Sequence, residues 1–482
     1  MKKIIITILV LLSVFIVSVP SNTDAVDIPV YLAGKQITMQ DKPVMRNNRV
    51  LVPIRAISNL FNAKVDWNDE SNTAIINDNV YVTIGSKIAI VDGKQVELEV
   101  PAVLINDRTY VPLRFVSTAL EHYIDWDDTE QAVYIDTDAV LKTVVIPVNG
   151  HKITANVVKV FMDNPHVTLK IATGQNAIGM TESLSSMAKR NNAIAAINGT
   201  FFRAYESTNP KEPSGNLIID GRIQHICNRV TPATTFGWTY ADKADIATVG
   251  MQIQGDFEQV NDPKNAWLYQ QGWYVGTINR SPQYWSNNSI NLYTPYRGKT
   301  TRDYSGGINV VVKDGIIVSK ITGNNVTIPQ NGFIIHLGGT ETRYNNWFNV
   351  GDAVSYRDIY KVQTGNADVW QQGVIAGGLG AGPRLLTNGR VTVNPEAENY
   401  TIPKITTYST PRSAIGVTKD NKVLLVTVPG ATINELAVVM QKLGAYNAMN
   451  IDGGASSGLY FKGSMVTTPG RDLSNALLVI KQ

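Results

Sequence analysis

Four short segments join glycine to Asn, Asp, Arg or Ser in patterns suited to chemistry. They are Asn198-Gly199-Thr200-Phe201-Phe202, the run Gly377 to Leu385, Pro411-Arg412-Ser413-Ala414, and Asn450-Ile451-Asp452-Gly453-Gly454-Ala455-Ser456-Ser457-Gly458. Each lies at the end of a strand-like stretch, where side chains and bare backbone both meet a ligand. Asp452 follows apolar residues and precedes two glycines. That context makes it the candidate catalytic carboxylate. The turn after it, with Gly453, Gly454, Ser456 and Ser457, can present N–H and hydroxyl groups to an anion. Arg384 and Arg412 supply guanidinium forks for the same purpose.

Two rival patterns are weaker. Gly454-Ala455-Ser456-Ser457-Gly458 fits the G-x-S-x-G elbow of serine hydrolases, but that architecture places its histidine after the serine. The last histidine here is His336, far upstream. Gly378-x-Gly380-x-Gly382 lacks the helix and distal acidic residue of a dinucleotide site. The histidines at 122, 151, 166, 225 and 336 give no pair with zinc-ligand spacing. A lone Cys227 permits no intramolecular disulfide and reads as a buried thiol.

The elements that position these residues are mostly short strands with glycine turns. Val310–Ile317 reads as a hairpin around Lys313-Asp314-Gly315. A helix is expected over Thr181–Lys189, leading into a strand at Ala193–Ile197. A second is expected over Thr432–Leu443, with Thr432 as N-cap, Glu435 at the capping-box position and Gly444 as stop. A strand is expected over Ala445–Asp452. Hairpins with a few helices indicate an α+β class, with a large, mixed, mostly antiparallel domain.

The first third is a repeat. Residues 49–76 and 108–135 align at an offset of 59: Arg49 with Arg108, Pro53 with Pro112, Arg55 with Arg114, and Asp66-Trp67 with Asp125-Trp126. Each copy reads as a strand, a helix with proline in its first turn, a turn at Asp-Trp, and a strand at Thr73–Ile76 or Ala132–Ile135. The acidic runs at 66–70 and 125–127 lack the sixth-position glycine and closing Glu of a calcium loop, so they read as turns.

Bulk features narrow the class. The 482 residues exceed one hydrophobic core. Lys2-Lys3, the apolar run Ile4–Val19 and a small-residue site at Ala25 form a signal-peptide pattern. The run is shorter than the roughly 20 residues of a spanning helix. The expectation is a secreted or cell-surface protein with no membrane anchor after cleavage. Removing Lys2, Lys3 and Asp24 lowers the formal charge of +3 by one. No basic footprint for nucleic acid remains. The expected division is residues 1–25 signal, 26–138 repeat domain, 139–482 large domain.

The repeats, with their Val-Pro-(Ile/Leu)-Arg and Asp-Trp patterns, resemble the copper amine oxidase N-terminal domain family of secreted Gram-positive proteins. No cofactor motif or copper site accompanies them. The implied role is surface binding, with cell-wall association as the partner expectation, or a spacer. The large domain, over roughly 145–482, resembles the phosphodiester glycosidase family. The resemblance rests on the ordered motifs already quoted, on Gly-Asn-Leu-Ile-Ile-Asp-Gly (215–221), and on the tail Arg471-Asp-Leu-Ser-Asn-Ala-Leu. Two features depart from it: Pro429-Gly430-Ala431 stands where the family has Asp-Gly-Arg, and an Asn near Thr467 is missing.

The resemblance implies hydrolysis of a sugar-1-phosphodiester at its glycosidic bond, with an envelope or extracellular polysaccharide as substrate. The sugar develops oxocarbenium character that a carboxylate stabilises or traps. The implied catalytic residues are Asp452, Arg412 and Asn198. The implied substrate contacts are Gly199, Phe202, Gly378, Arg384, Asn450, Gly453, Gly454, Ser456, Ser457 and Arg471. No cofactor is assigned with certainty, and a divalent cation is the open alternative. Competing readings are a carbohydrate-binding protein without activity and a metal-dependent phosphodiesterase.

Overall fold

A computed structural model describes residues 28–482, except 209, 228–231, 262 and 283–285. The signal-peptide expectation lies outside the described residues. The chain is 47% strand and 14% helix, so it is β-rich with few helices, and the α+β expectation is met only in part. The reason lies in the connections. Asn, Asp and Gly at positive φ, such as Asp314 and Gly315, close tight hairpins, so many strands connect directly without a helix between them. No helix among the described residues is long and apolar enough to cross a membrane. The chain divides into two compact units, one essentially residues 28–135 and the other essentially 136–482.

In the first unit the two repeats pair with each other. Strands Arg49–Pro53 and Arg108–Pro112 run antiparallel with Val52 opposite Val111, Leu51 opposite Pro112, and Pro53 opposite Tyr110. At the repeat offset of 59 this register is self-symmetric, so the copies are related by a local two-fold axis through Val52 and Val111. Both valines are fully buried. Pro53 and Pro112 are N-caps of helices Ile54–Leu60 and Leu113–Leu120, one position earlier than expected. Asp66-Trp67 and Asp125-Trp126 lie inside strands Val65–Asn68 and Ile124–Asp127, not in turns. Tryptophan suits a half-buried strand. The turn chemistry falls one step later, where Asn68 Oδ1 accepts from Ser71 N at 3.0 Å. Strand Thr73–Ile76 continues its sheet with Val80–Thr83, whereas Ala132–Ile135 takes the N-terminal strand Val30–Leu32 as its neighbour.

The described residues of the second unit form three sheets. A seven-stranded sheet includes Thr410–Val417, Lys422–Ala431 and Asn447–Asn450. A five-stranded sheet includes Val167–Thr173, Asn475–Lys481 and Ala193–Asn198. A twelve-stranded sheet includes Leu217–Ile219, Ala233–Thr239 and Ile375–Gly380. All three send apolar residues into one core, among them Ile197, Phe236, Leu379, Ile415, Met449, Ile451 and Leu477. Helix Ile433–Lys442 covers the seven-stranded sheet and carries the expected capping box at Thr432 and Glu435. The earlier helix is Leu184–Arg190, capped by Ser183; Thr181 lies outside it. The strand expected over 445–452 stops at Asn450, so Asp452 lies past its end.

The axis of the first unit gives a direct test. Val52→Ala and Val111→Ala should each destabilise that unit by about 2 kcal/mol through loss of buried methyls. Because the two side chains oppose each other, the double variant should depart from additivity by at least about 0.5 kcal/mol. Denaturant unfolding of the full chain, followed by circular dichroism, measures both; strict additivity would contradict the pairing.

Candidate active site

The site forms where two sheets meet end to end. Ala193–Asn198 of the five-stranded sheet and Asn447–Asn450 of the seven-stranded sheet stop beside each other. Ile197 and Ile451 anchor these ends in the core and are fully buried. Across the seam Asp452 N donates to Gly199 O at 3.2 Å. Asn198 completes the junction: its Nδ2 donates to Asp452 O at 2.6 Å and its Oδ1 accepts from Gly458 N at 3.0 Å. The Asn198 amide is therefore spent on backbone. It braces the Asp452 loop, a positioning role in place of the catalytic one expected.

Asp452 itself is partly exposed, yet protein atoms crowd its carboxyl. Burial raises its pKa from 3.8 to about 6, against the lowering effect of the Ser456 hydroxyl, the Gly453 N–H and the Arg471 charge. Gly453 N donates to Oδ1 at 3.0 Å. The carboxyl is thus held in place while remaining protonatable near neutral pH. A side chain at 453 would strike Pro411 O at 2.9 Å, so only glycine permits the close approach. Gly454 sits at φ +60 with open space around it. Ser456 is buried, and Ser457 Oγ is buried with no protein partner.

The cation facing Asp452 is Arg471. Its Nη2 lies 3.4 Å from Tyr205 Oη, and its guanidinium stacks 4.9 Å from that ring. Tyr205 is 85% exposed, so this pair sits on the rim. Lys404 adds positive charge beside Tyr205. Nothing in the sequence pattern marked Tyr205 or Lys404; the first lies in a turn and the second in the short helix Pro403–Thr406, and only the fold brings Tyr205 near residue 452.

The other expected residues divide differently. The strand register puts Arg412 at the level of Asp452, since Ala414 pairs with Asn450 and Ile451 N bonds Ser413 O. Its guanidinium, however, donates Nε to Ala431 O at 3.0 Å and Nη2 to Tyr408 O at 2.7 Å. Burial lowers its pKa to about 10, and no carboxylate pairs with it among the described residues. It latches the 408–412 segment to Ala431, beside the Pro429-Gly430-Ala431 departure. Arg384 is turned to the twelve-stranded sheet, bonding Thr364 Oγ1 at 2.6 Å and Ile246 O, so it is no phosphate clamp. Gly378 is a strand glycine packed against Phe236 O and Ile218, away from the loop. Gly199 makes room for Asn475, whose side chain lies 1.9 Å from where a Cβ would stand. Phe202 packs against the core of helix Leu184–Arg190. Asn450 Nδ2 donates to Gly382 O at 2.8 Å, which spends its donor on the loop.

Two polar clusters escaped the sequence reading. Asn475 exchanges bonds with Thr200, Oδ1 to Thr200 N and Nδ2 to Thr200 Oγ1, both 2.9 Å. Glu212 and Arg297 form a buried ion pair at 2.7 Å that Ser281 joins. Near them His225 is fully buried, and burial lowers its pKa to about 4, so it stays neutral. Among the described residues no group of three or more His, Cys, Asp and Glu could hold a metal ion.

Residues 306–480 match the family described as phosphodiester glycosidase, and residues 31–135 match the copper amine oxidase N-terminal domain. The families expected from the motifs are the ones found. The phosphodiester glycosidase match contains Asp452, Arg412 and Arg471 but starts well after residue 145, leaving Asn198 outside it. Among solved structures, a hypothetical protein from Synechocystis has 15% identity and a TM-score of 0.58, covering 94% of this chain and 98% of its own. A putative exported protein from Burkholderia pseudomallei has 18% identity and a TM-score of 0.53, covering 77% and 83%. These two share the fold. The catalytic domain of zebrafish N-acetylglucosamine-1-phosphodiester alpha-N-acetylglucosaminidase has 13% identity and a TM-score of 0.39, covering 71% and 83%. No curated protein sequence matches.

The raised pKa of Asp452 is also a statement about stability. A carboxyl whose pKa is higher folded than unfolded binds its proton more tightly in the native state. Stability from this group is therefore greatest below about pH 4 and falls as pH rises toward 6. Asp452→Asn should be more stable than the parent at pH 8, by on the order of 1–2 kcal/mol after discounting for partial exposure, and nearly equal to it at pH 3.5. Thermal unfolding at both pH values checks this; an equal gain at both would remove the titration from the account.

Proposed function

We propose that the protein is a secreted or surface-exposed hydrolase that cleaves the glycosidic bond of a sugar-1-phosphodiester in an envelope or extracellular polysaccharide. The observation that carries the reading is the tuned carboxyl of Asp452, set in a glycine-bare loop and facing Arg471. In its ionised form Asp452 takes a proton from water as the water oxygen bonds the anomeric carbon. The bond from that carbon to the phosphate oxygen breaks, and the phosphate monoester leaves with the electron pair. Such a leaving group needs little acid assistance, which fits a site with one such carboxyl. Direct attack by the carboxylate, followed by hydrolysis, is the other course open to the same group. Arg471, with Tyr205 and Lys404 beside it, offers the phosphate its countercharge. The brace of Asn198 fixes the loop and takes no part in the bond changes.

The test uses the full chain, a methyl ester of a sugar 1-phosphate and water labelled with heavy oxygen. Label in the free sugar supports the proposal. Label in a phosphate product, with chelator sensitivity, would support a metal-dependent phosphodiesterase instead. Asp452→Asn should lower kcat by about a thousandfold or more, and Arg471→Ala should act mainly on KM. Because the base must be ionised, kcat/KM should fall below about pH 6 and level off above it. Substrate binding without turnover in the parent would leave a binding protein.

A further inference from the structure

The N-terminal unit holds a groove of about 310 Å³ that the repeat pattern does not explain. It opens between strand Val65–Asn68 of the first copy and the hairpin that leads into Arg108–Pro112 of the second. Trp67 forms its apolar wall. The indole N–H is already donated to Asp69 Oδ1 at 2.7 Å, which fixes the ring and leaves its face as the part on offer. The residue opposite Trp67 across the ladder is Ala74, small enough to leave the ring uncovered. At the equivalent place in the second copy the sequence has Val133. Leu104, 51% exposed, closes the far side.

The rim is polar and balanced. Asp66 and Asp107 contribute two carboxylates, Arg55 and Arg108 two guanidinium groups. Asp66 is held by Lys64 at 2.6 Å and Arg108 by Asp41 at 2.9 Å, so their planar heads are set in place. A surface of matched charge does not select a polyanion. It suits a ligand whose groups both donate and accept hydrogen bonds around an apolar face. A pyranose ring has that character, with C–H groups for the indole and vicinal hydroxyls for the carboxylates and guanidinium groups. The volume is at the lower end for small-ligand pockets, enough for one or two sugar units.

We propose that this groove binds a neutral saccharide unit of a polysaccharide chain, with Trp67 as the stacking platform. The site is separate from Asp452 and does not depend on the reaction proposed for it.

The experiment is calorimetric titration of the full chain with the tetrasaccharides of N-acetylglucosamine and of glucose, and with heparin as a polyanion. At least one neutral tetrasaccharide should bind saturably. Trp67→Ala should weaken that binding about tenfold or more, and Trp67→Phe much less. Leu104→Arg, an exposed change that crowds the groove without touching the core, should weaken it likewise and guards against misfolding of the first variant. Asp452→Asn should bind as the parent does, which separates this site from the proposed catalytic one. The proposal falls if neither neutral sugar binds up to about 10 mM, if heparin alone binds, or if both groove variants bind unchanged. It falls too if Trp67→Ala instead shifts the sedimentation of the chain, since the groove would then hold a second copy.

Discussion

The large unit depends on one side-chain amide. Asn198 reaches from the end of one sheet, gives its N–H to the carbonyl of Asp452 and takes an N–H from Gly458. With the backbone bond from Asp452 to Gly199, this fixes two sheets whose ends would otherwise be separate loops. The amide suits the task because it donates and accepts in one plane. A carboxylate would repel the Asp452 carbonyl, and an apolar residue would leave two backbone groups buried without partners. The carboxyl of Asp452 can then stand in crowded surroundings without collapsing onto the protein.

This arrangement sorts the polar residues by whether their hydrogen bonds are already used. Asn198 and Arg412 have spent the groups that mattered on backbone atoms, and Arg384 on Ile246 and Thr364. They hold the loops in shape. Asp452 and Arg471 keep their charged ends near the opening, and Ser457 keeps an unsatisfied hydroxyl. Buried arginines are costly alone and tolerable here because their guanidinium groups find protein acceptors, backbone carbonyls among them.

Much of this was legible in the sequence. The ordered motifs pointed to the family models that match, the capping residues Thr432 and Glu435 gave a helix end, and the 59-residue offset gave the repeat. What stayed hidden was set by contacts far apart in the chain. Asn198 and Asp452 are separated by 254 positions, and no local pattern says that the first would brace the second. Arg384 and Arg412 sit in glycine- or proline-flanked segments that look alike, yet only long-range pairing decides where each guanidinium turns. The excess of strand over helix was underestimated because two well-capped helical stretches stand out locally, while many short strands do not. Asp66-Trp67 misled in the same way: the polar residue suggested a turn, and the buried face of the sheet placed the tryptophan in a strand.

The pairing of strand Ala132–Ile135 with Val30–Leu32 has one more consequence. The unit's entry and exit strands are neighbours in a single sheet. A polypeptide whose first and last strands lie side by side in this way is a cassette: it can be spliced onto a host at one attachment point. Genes could therefore shuffle it between unrelated partners without redesigning its core, and duplication inside it would be tolerated for the same reason.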